Sequence, residues 1–332
     1  MMKTYRLHDR YNLQLHHEPA PELSGEEVLV HVHSVGICGS DLLWYSTAGI
    51  GDTQITKPII PCHEFMGMTA SGQRVAVDPA IPCGRCDHCL HGNPNLCPKV
   101  IFAGHDGKDG ALCEQIAWPS SCLFPIPDSI TDAEGAMLEP LGVALHAMDL
   151  AHLKIGQTVG VFGCGPIGLL LIQLAHLAGA SRIIATDPLT HRLQAATALG
   201  VDGVFQVQDA TDIAQVNSLT KNMDVDVAFD VSGTPDAVHT AFQVAKPGGK
   251  VILVGMPIQD QTVFPASVSR RKGLTIKLVR RMKHTYPRAI DLVMRHQVDV
   301  LSLVTHHFPF QSAPQAFELA ARREGIKIVI DL

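Results

Sequence analysis

The sequence predicts an α/β protein of two units, one β-rich and barrel-like, the other a doubly wound parallel sheet. Residues 1 to about 140 carry short β-like runs such as EVLVHVHSV and RVAVDP between turns rich in Gly, Pro and Cys, with little helical periodicity. From Thr158 onward, apolar runs alternate with helical stretches, the order that builds parallel strands joined by crossover helices.

Taken in order, TVGVFG reads as a strand, Pro166 to Leu177 as a helix, RIIATD as a strand and Thr190 to Leu199 as a helix. The pattern continues through DVAFDVSG, a helix after Pro235, KPGGKVILVG and LTIKLV, and ends near Arg280. The tail holds a helix from Pro287 to Met294, then LVTHHFPF, a further helix and IKIVIDL. It is too short to fold alone and is expected to pack back on the first unit. The expected domains are 1–141 with 281–332, and 142–280.

At 332 residues the chain exceeds one typical core of roughly 100 to 200 residues, which again favours two domains. Hydrophobic residues make up 46% and charged residues 17%, a balance that suits a folded enzyme rather than a disordered chain. A net charge of -6 without any Lys/Arg block gives no field to hold a polyanion, so nucleic acid is not an expected partner. No apolar run approaches the length of a membrane span and the first residues lack an apolar leader, so a cytoplasmic protein is expected.

Gly163-Cys164-Gly165-Pro166-Ile167-Gly168 follows a strand and opens a helix, the context a G-x-G-x-x-G match requires. Gly163 permits the tight turn, Gly165 lets a pyrophosphate approach the backbone, and Gly168 lets helix and strand pack closely. Asp187 ends the next strand, where a carboxylate accepts hydrogen bonds from ribose hydroxyls and repels a 2′-phosphate. NAD is therefore expected over NADP, although Arg182 and Arg192 lie nearby. The competing reading is a glycine-rich turn of some other α/β protein with Asp187 as a helix cap.

Cys83, Cys86, Cys89 and Cys97 stand as C-x2-C-x2-C-x7-C in PCGRCDHCLHGNPNLCPK, a spacing that suits a tetrahedral zinc closed by four thiolates. An iron–sulfur cluster would take the same ligands, but no second redox centre accompanies it. A closed site of this kind is structural, and His88 and His91 read as bystanders. Cys38 in GICGSD and His63-Glu64 in PCHEF offer thiolate, imidazole and carboxylate from separate β-rich segments, a set that suits a zinc with an open position.

GICGSD, His-Glu, the four-cysteine lobe, Met137-Leu138-Glu139-Pro140-Leu141 and GCGPIG, in that order along nearly the whole chain, resemble the zinc-containing medium-chain alcohol dehydrogenase family. Glu64 and Glu139-Pro140-Leu141 look most like its polyol branch. The resemblance implies a GroES-like catalytic domain, a Rossmann domain and two zinc ions, with hydride passing between a small secondary alcohol or polyol and NAD. It implies Cys38, His63 and Glu64 as ligands of the reactive zinc, with Glu139 binding directly or through water. It further implies Ser40 as acceptor of the substrate proton and Arg281, before HTYP, as a contact to substrate hydroxyls, with Arg280 adjacent. A homodimer or homotetramer is also implied.

The chain departs from the family in three places. Cys62 stands where Gly precedes the His-Glu pair, a bulky thiol that could act as a competing sulfur donor. The segment between Phe65 and RVAVDP is short, so a trimmed hairpin is expected. Leu42-Leu43-Trp44-Tyr45 stands where the polyol branch has a His-Tyr pair, and apolar surface is expected to replace some polar contacts to substrate. The rival readings are a threonine-type amino-alcohol dehydrogenase and a non-catalytic NAD- and zinc-binding relative.

Overall fold

A computed structural model describes residues 1–51, 53–105, 107–207 and 224–332. These form two compact units, Met1–Gly142 with Lys283–Leu332, and Val143–Met282.

The first unit is organised by the strand Glu27–Gly36, whose alternating sequence EVLVHVHSVG sends Val30, Val32 and Ser34 to the buried side. Its first half pairs antiparallel with Gln115–Pro119, and residues 30–36 pair antiparallel with Glu64–Thr69. Its last three residues also pair with Val329, Ile330 and Asp331 of the strand Lys327–Asp331. That strand lies parallel to Val304–Pro309, so the C-terminal tail completes the sheet rather than forming a domain. On the other side Glu64–Thr69 turns into Arg74–Val77 through a short hairpin, as the brief spacer predicts. Val30, Val35, Phe65, Val75, Trp118, Phe317 and Ile330 fill one apolar core.

One element departs from the sequence reading. Residues 39–47 form a helix, Gly39–Thr47, inside the segment read as β-rich, and it begins directly after Cys38. Trp44 and Tyr45 belong to the core rather than to a substrate wall: each is 3% exposed. Tyr45 packs on Phe317 and Tyr11, and Trp44 meets His105 edge-on. Burial of these large rings is worth more than exposing them in a polar pocket.

The second unit is a six-stranded parallel sheet whose order places Thr158–Phe162 and Val225–Asp230 side by side at the centre. From Thr158–Phe162 the chain steps outward to Arg182–Asp187 and Gly203–Gln206, and from Val225–Asp230 outward to Ala245–Leu253 and Thr275–Leu278. The winding reverses between the two central strands, and such a switch point leaves a crevice beyond their carboxyl ends. Helix Pro166–Leu177 packs on this sheet and buries Leu169, Leu170, Leu171, Ile172 and Leu174, each contributing about 1.5–3 kcal/mol. Among the described residues no helix is long and apolar enough to cross a membrane.

Candidate metal centres and dinucleotide site

The sulfurs of Cys83, Cys86, Cys89 and Cys97 lie within 4.8 Å of one another. A zinc ion at 2.3 Å from each would set them about 3.8 Å apart. Short helical turns, Asp87–Leu90 and Pro94–Leu96, aim the thiols inward, and the Cys83 N–H donates to Cys97 Sγ at 3.3 Å. Crowding splits their titration. Backbone N–H bonds from Arg85 and Cys86 pull Cys83 down to about 6, whereas burial and the Cys86 sulfur push Cys89 up to about 12. Four thiolates cannot share this volume without a cation, so the donor set fits a closed zinc site. His88 and His91 are exposed beside it. The lobe is tied to the tail by Lys283 Nζ, which donates to Asn93 Oδ1 at 2.7 Å.

In the same unit, Cys38 Sγ, a ring nitrogen of His63 and a carboxylate oxygen of Glu64 also lie within 4.8 Å of one another. Strand pairing explains the meeting, because Glu64 stands opposite Gly36, two residues before Cys38. Asp41 sets the angles. Its carboxylate accepts the N–H of Cys38 and that of Cys62, each at 2.9 Å, and lies 3.7 Å from His63 Nδ1. Burial alone would lower the His63 pKa, but the charges of Asp41 and Cys38 outweigh it and raise it well above the usual imidazole range. The Phe102 ring covers the imidazole, centroid to centroid 5.0 Å.

Glu139 is buried in this unit, and burial together with the Glu64 charge pushes its carboxyl up to about 8. Lys327, also buried, donates to the Glu64 carboxylate. Burial alone would lower its ammonium, but Glu64 raises it. Soft thiolate, imidazole and carboxylate together fit a catalytic zinc with room for a further ligand. Cys62 does not join them: its sulfur lies outside the group, and burial and the Asp41 charge hold its thiol well above the ordinary range. Its backbone sits at φ 71°, where a non-glycine residue costs about 1–2 kcal/mol. That is the physical reason a glycine suits this position.

Ser40 is half-buried in the first turn of helix Gly39–Thr47, two residues from Cys38. Arg281 belongs to the second unit and has a backbone φ of 54°.

In the second unit Gly163 ends the strand Thr158–Phe162 at φ 112°. A Cβ on Gly168 would stand 1.9 Å from the Gly163 carbonyl oxygen, so helix and turn touch through backbone alone. Pro166 and Ile167 open the helix after its Gly165 N-cap, leaving N–H groups and the positive dipole end free for an anion. Over Gly165 the space is open except for Arg192 Nη1, 3.6 Å from a Cβ built there. Asp187 accepts the Cys164 N–H at 2.8 Å through Oδ2 and the Leu189 N–H at 2.9 Å through Oδ1. It therefore braces the turn while keeping lone pairs for a ribose.

Residues 24–128 match the model of the alcohol dehydrogenase GroES-like domain, and residues 166–295 that of the zinc-binding dehydrogenases. Sorbitol dehydrogenase of Bacillus subtilis (strain 168) is 33% identical over 99% of this chain and 97% of its own length. A probable D-xylulose reductase A of Aspergillus clavatus is 36% identical, covering 96% of this chain and 94% of its own. The chain belongs to the zinc-binding alcohol dehydrogenase family. An alcohol dehydrogenase structure from E. coli CFT073, complexed with NADH, superposes with a TM-score of 0.91 at 27% identity, covering 100% of this chain and 99% of that one. As a member of this family the protein is a zinc-dependent dehydrogenase with a nicotinamide cofactor, and both donor sets and the glycine turn fit those groups.

Sequence reasoning missed Asp41, Gly110 and Lys327. Asp41 ends GICGSD and was visible as part of that motif. Lys327 carried a signal of its own, a single charge inside the otherwise apolar run IKIVI.

Proposed function

We propose that this enzyme interconverts a secondary hydroxyl of a small polyol and the corresponding ketose with NAD as hydride carrier. The carrying observation is the gathering of Cys38, His63 and Glu64 at one point in a buried setting. Polyol chemistry is favoured by the sorbitol dehydrogenase and xylulose reductase relatives.

Cys38, His63 and Glu64 hold the reactive zinc, with Glu139 contributing directly or through a water. Bound there, zinc supplies the Lewis acidity that eases loss of the hydroxyl proton. Ser40 would take that proton outward, and a nicotinamide bound at the glycine turn would supply the hydride acceptor that oxidation to a ketone requires. Arg281 orients the remaining substrate hydroxyls. Cys83, Cys86, Cys89 and Cys97 hold a zinc that only stabilises the lobe. Gly163, Gly165, Pro166, Ile167 and Gly168 cradle the pyrophosphate with Arg192 beside them, and Asp187 selects NAD over NADP.

A homodimer or homotetramer through the second unit's sheet is supported by its edge strand Thr275–Leu278, which leaves Leu278 72% exposed. A cytoplasmic location is supported by nine cysteines of which none pairs in a disulfide. The proposed domains are 1–141 with 281–332, and 142–280, a division supported by the compact units Met1–Gly142 with Lys283–Leu332 and Val143–Met282.

The test is Cys38→Ser. Metal counting should fall from two zinc ions per chain to one, with turnover abolished and NAD binding retained, since Cys38 and the glycine turn lie in different units. Two zincs with full turnover would remove Cys38 from the mechanism. A panel of polyols against threonine, read by NADH formation, separates polyol from amino-alcohol oxidation.

A further inference from the structure

Burying an ammonium is costly unless anions or carbonyls surround it, so a buried lysine must be explained by its partners. Lys327 is the one fully buried lysine among the described residues, at 2% exposure. It opens the strand Lys327–Asp331, and its Nζ donates both to Glu64 Oε2 and, at 3.0 Å, to the Ile37 carbonyl. Ile37 precedes Cys38 and Glu64 follows His63. One cation therefore grips both segments that deliver the Cys38, His63 and Glu64 donors.

Gly36 shows how closely the pair is seated. A Cβ there would lie 2.4 Å from Glu64 Oε2 and 2.8 Å from Lys327 Cε, so the ion pair occupies the space a side chain would need.

A carboxylate held on one side by an ammonium has less charge to give on the other. Without that ammonium, Glu64 would give its full charge to a metal held beside Cys38 and His63. With it, that donor is weakened and more of the metal's charge is left for an oxygen in the open fourth position.

Resting on the ligand reading above, we infer that Lys327 is a positioning residue that shares Glu64 with the metal and so leaves the reactive zinc's charge for substrate.

Lys327→Met keeps the volume and removes charge and donors. Zinc release from the holoenzyme to a chelator should show two phases, one of them missing in Cys38→Ser. In Lys327→Met that phase should slow by about tenfold or more, and kcat should fall by about tenfold with KM changing far less. In a Glu64→Gln background, where no charged carboxylate is shared, the same substitution should leave the release rate within about twofold. Lys327→Gln, which keeps an N–H for the Ile37 carbonyl, serves if the methionine variant does not fold, with retention of the structural zinc as the folding control. Unchanged or faster release in a folded variant overturns the inference, since a purely structural lysine would loosen the site when removed. Failure of Cys38→Ser to lose a release phase overturns the ligand reading instead.

Discussion

Gly110→Ala tests how the fold holds His63 in place. Residues 110–112 clamp the approach to the histidine through three backbone hydrogen bonds: Gly110 N–H to Ile60 O at 2.7 Å, Ala111 N–H to Cys62 O at 2.8 Å and Leu112 N–H to Pro61 O at 3.1 Å. A Cβ on Gly110 would sit 2.2 Å from the Cys62 oxygen, 2.6 Å from that of Pro61 and 2.8 Å from that of Ile60, where ordinary contact begins at 3.4 Å. All three obstacles are backbone, so no rotamer change relieves them, and the two segments must part by about an ångström. Losing the three hydrogen bonds costs about 3 kcal/mol of the first unit's stability at about 1 kcal/mol each. A shift of about 1 Å in a reacting group lowers kcat about 100-fold. Urea unfolding and initial rates with a polyol and NAD are the assays, with zinc counting to separate displacement from metal loss. A Gly110→Ala enzyme with an unchanged urea midpoint and kcat within about threefold of the parent would refute the clamp.

Two further outcomes concern the second unit. Asp187→Ala orphans the Cys164 and Leu189 N–H groups, so it should cost stability as well as NAD affinity and should raise relative use of NADP; an unchanged NAD to NADP ratio of kcat/KM would show that the carboxylate serves only the turn. Asp230 is pushed up to about 6 by burial, against the Gly233 and Ser232 N–H bonds that lower it. Because its folded pKa lies above its unfolded one, its stabilising contribution is complete below about pH 4 and is lost as pH rises through 6, by about 3 kcal/mol in all. Asp230→Asn should therefore gain on the parent in urea unfolding between pH 5 and 7.5, and parallel stability–pH curves for the two would contradict the assignment.

The features legible in the sequence were those that neighbours along the chain decide. GCGPIG specifies its own turn because φ at Gly163 and the contact at Gly168 are local needs. C-x2-C-x2-C-x7-C carries its chelate in fifteen residues, and the alternating apolar runs announce the parallel sheet. Leu42 to Tyr45 misled for the opposite reason. Standing where the polyol branch that the chain resembles has a His-Tyr pair, their apolar side chains suit a pocket wall, whereas packing against Phe317, far along the chain, draws Tyr45 into the core.

From sequence alone followed the α/β class, the zinc-bearing lobe, the dinucleotide turn and the residue types needed for a Lewis-acid dehydrogenase. Only the tertiary structure decided that Asp41 braces Cys38, Cys62 and His63, that Gly110 leaves room for the backbone of Ile60, Pro61 and Cys62, and that Lys327 reaches Glu64 from 263 positions away. The division is physical. Turn dihedrals and short chelate loops are set by bonds a few residues long, but a buried charge finds its partner only after strands from opposite ends of the chain have paired.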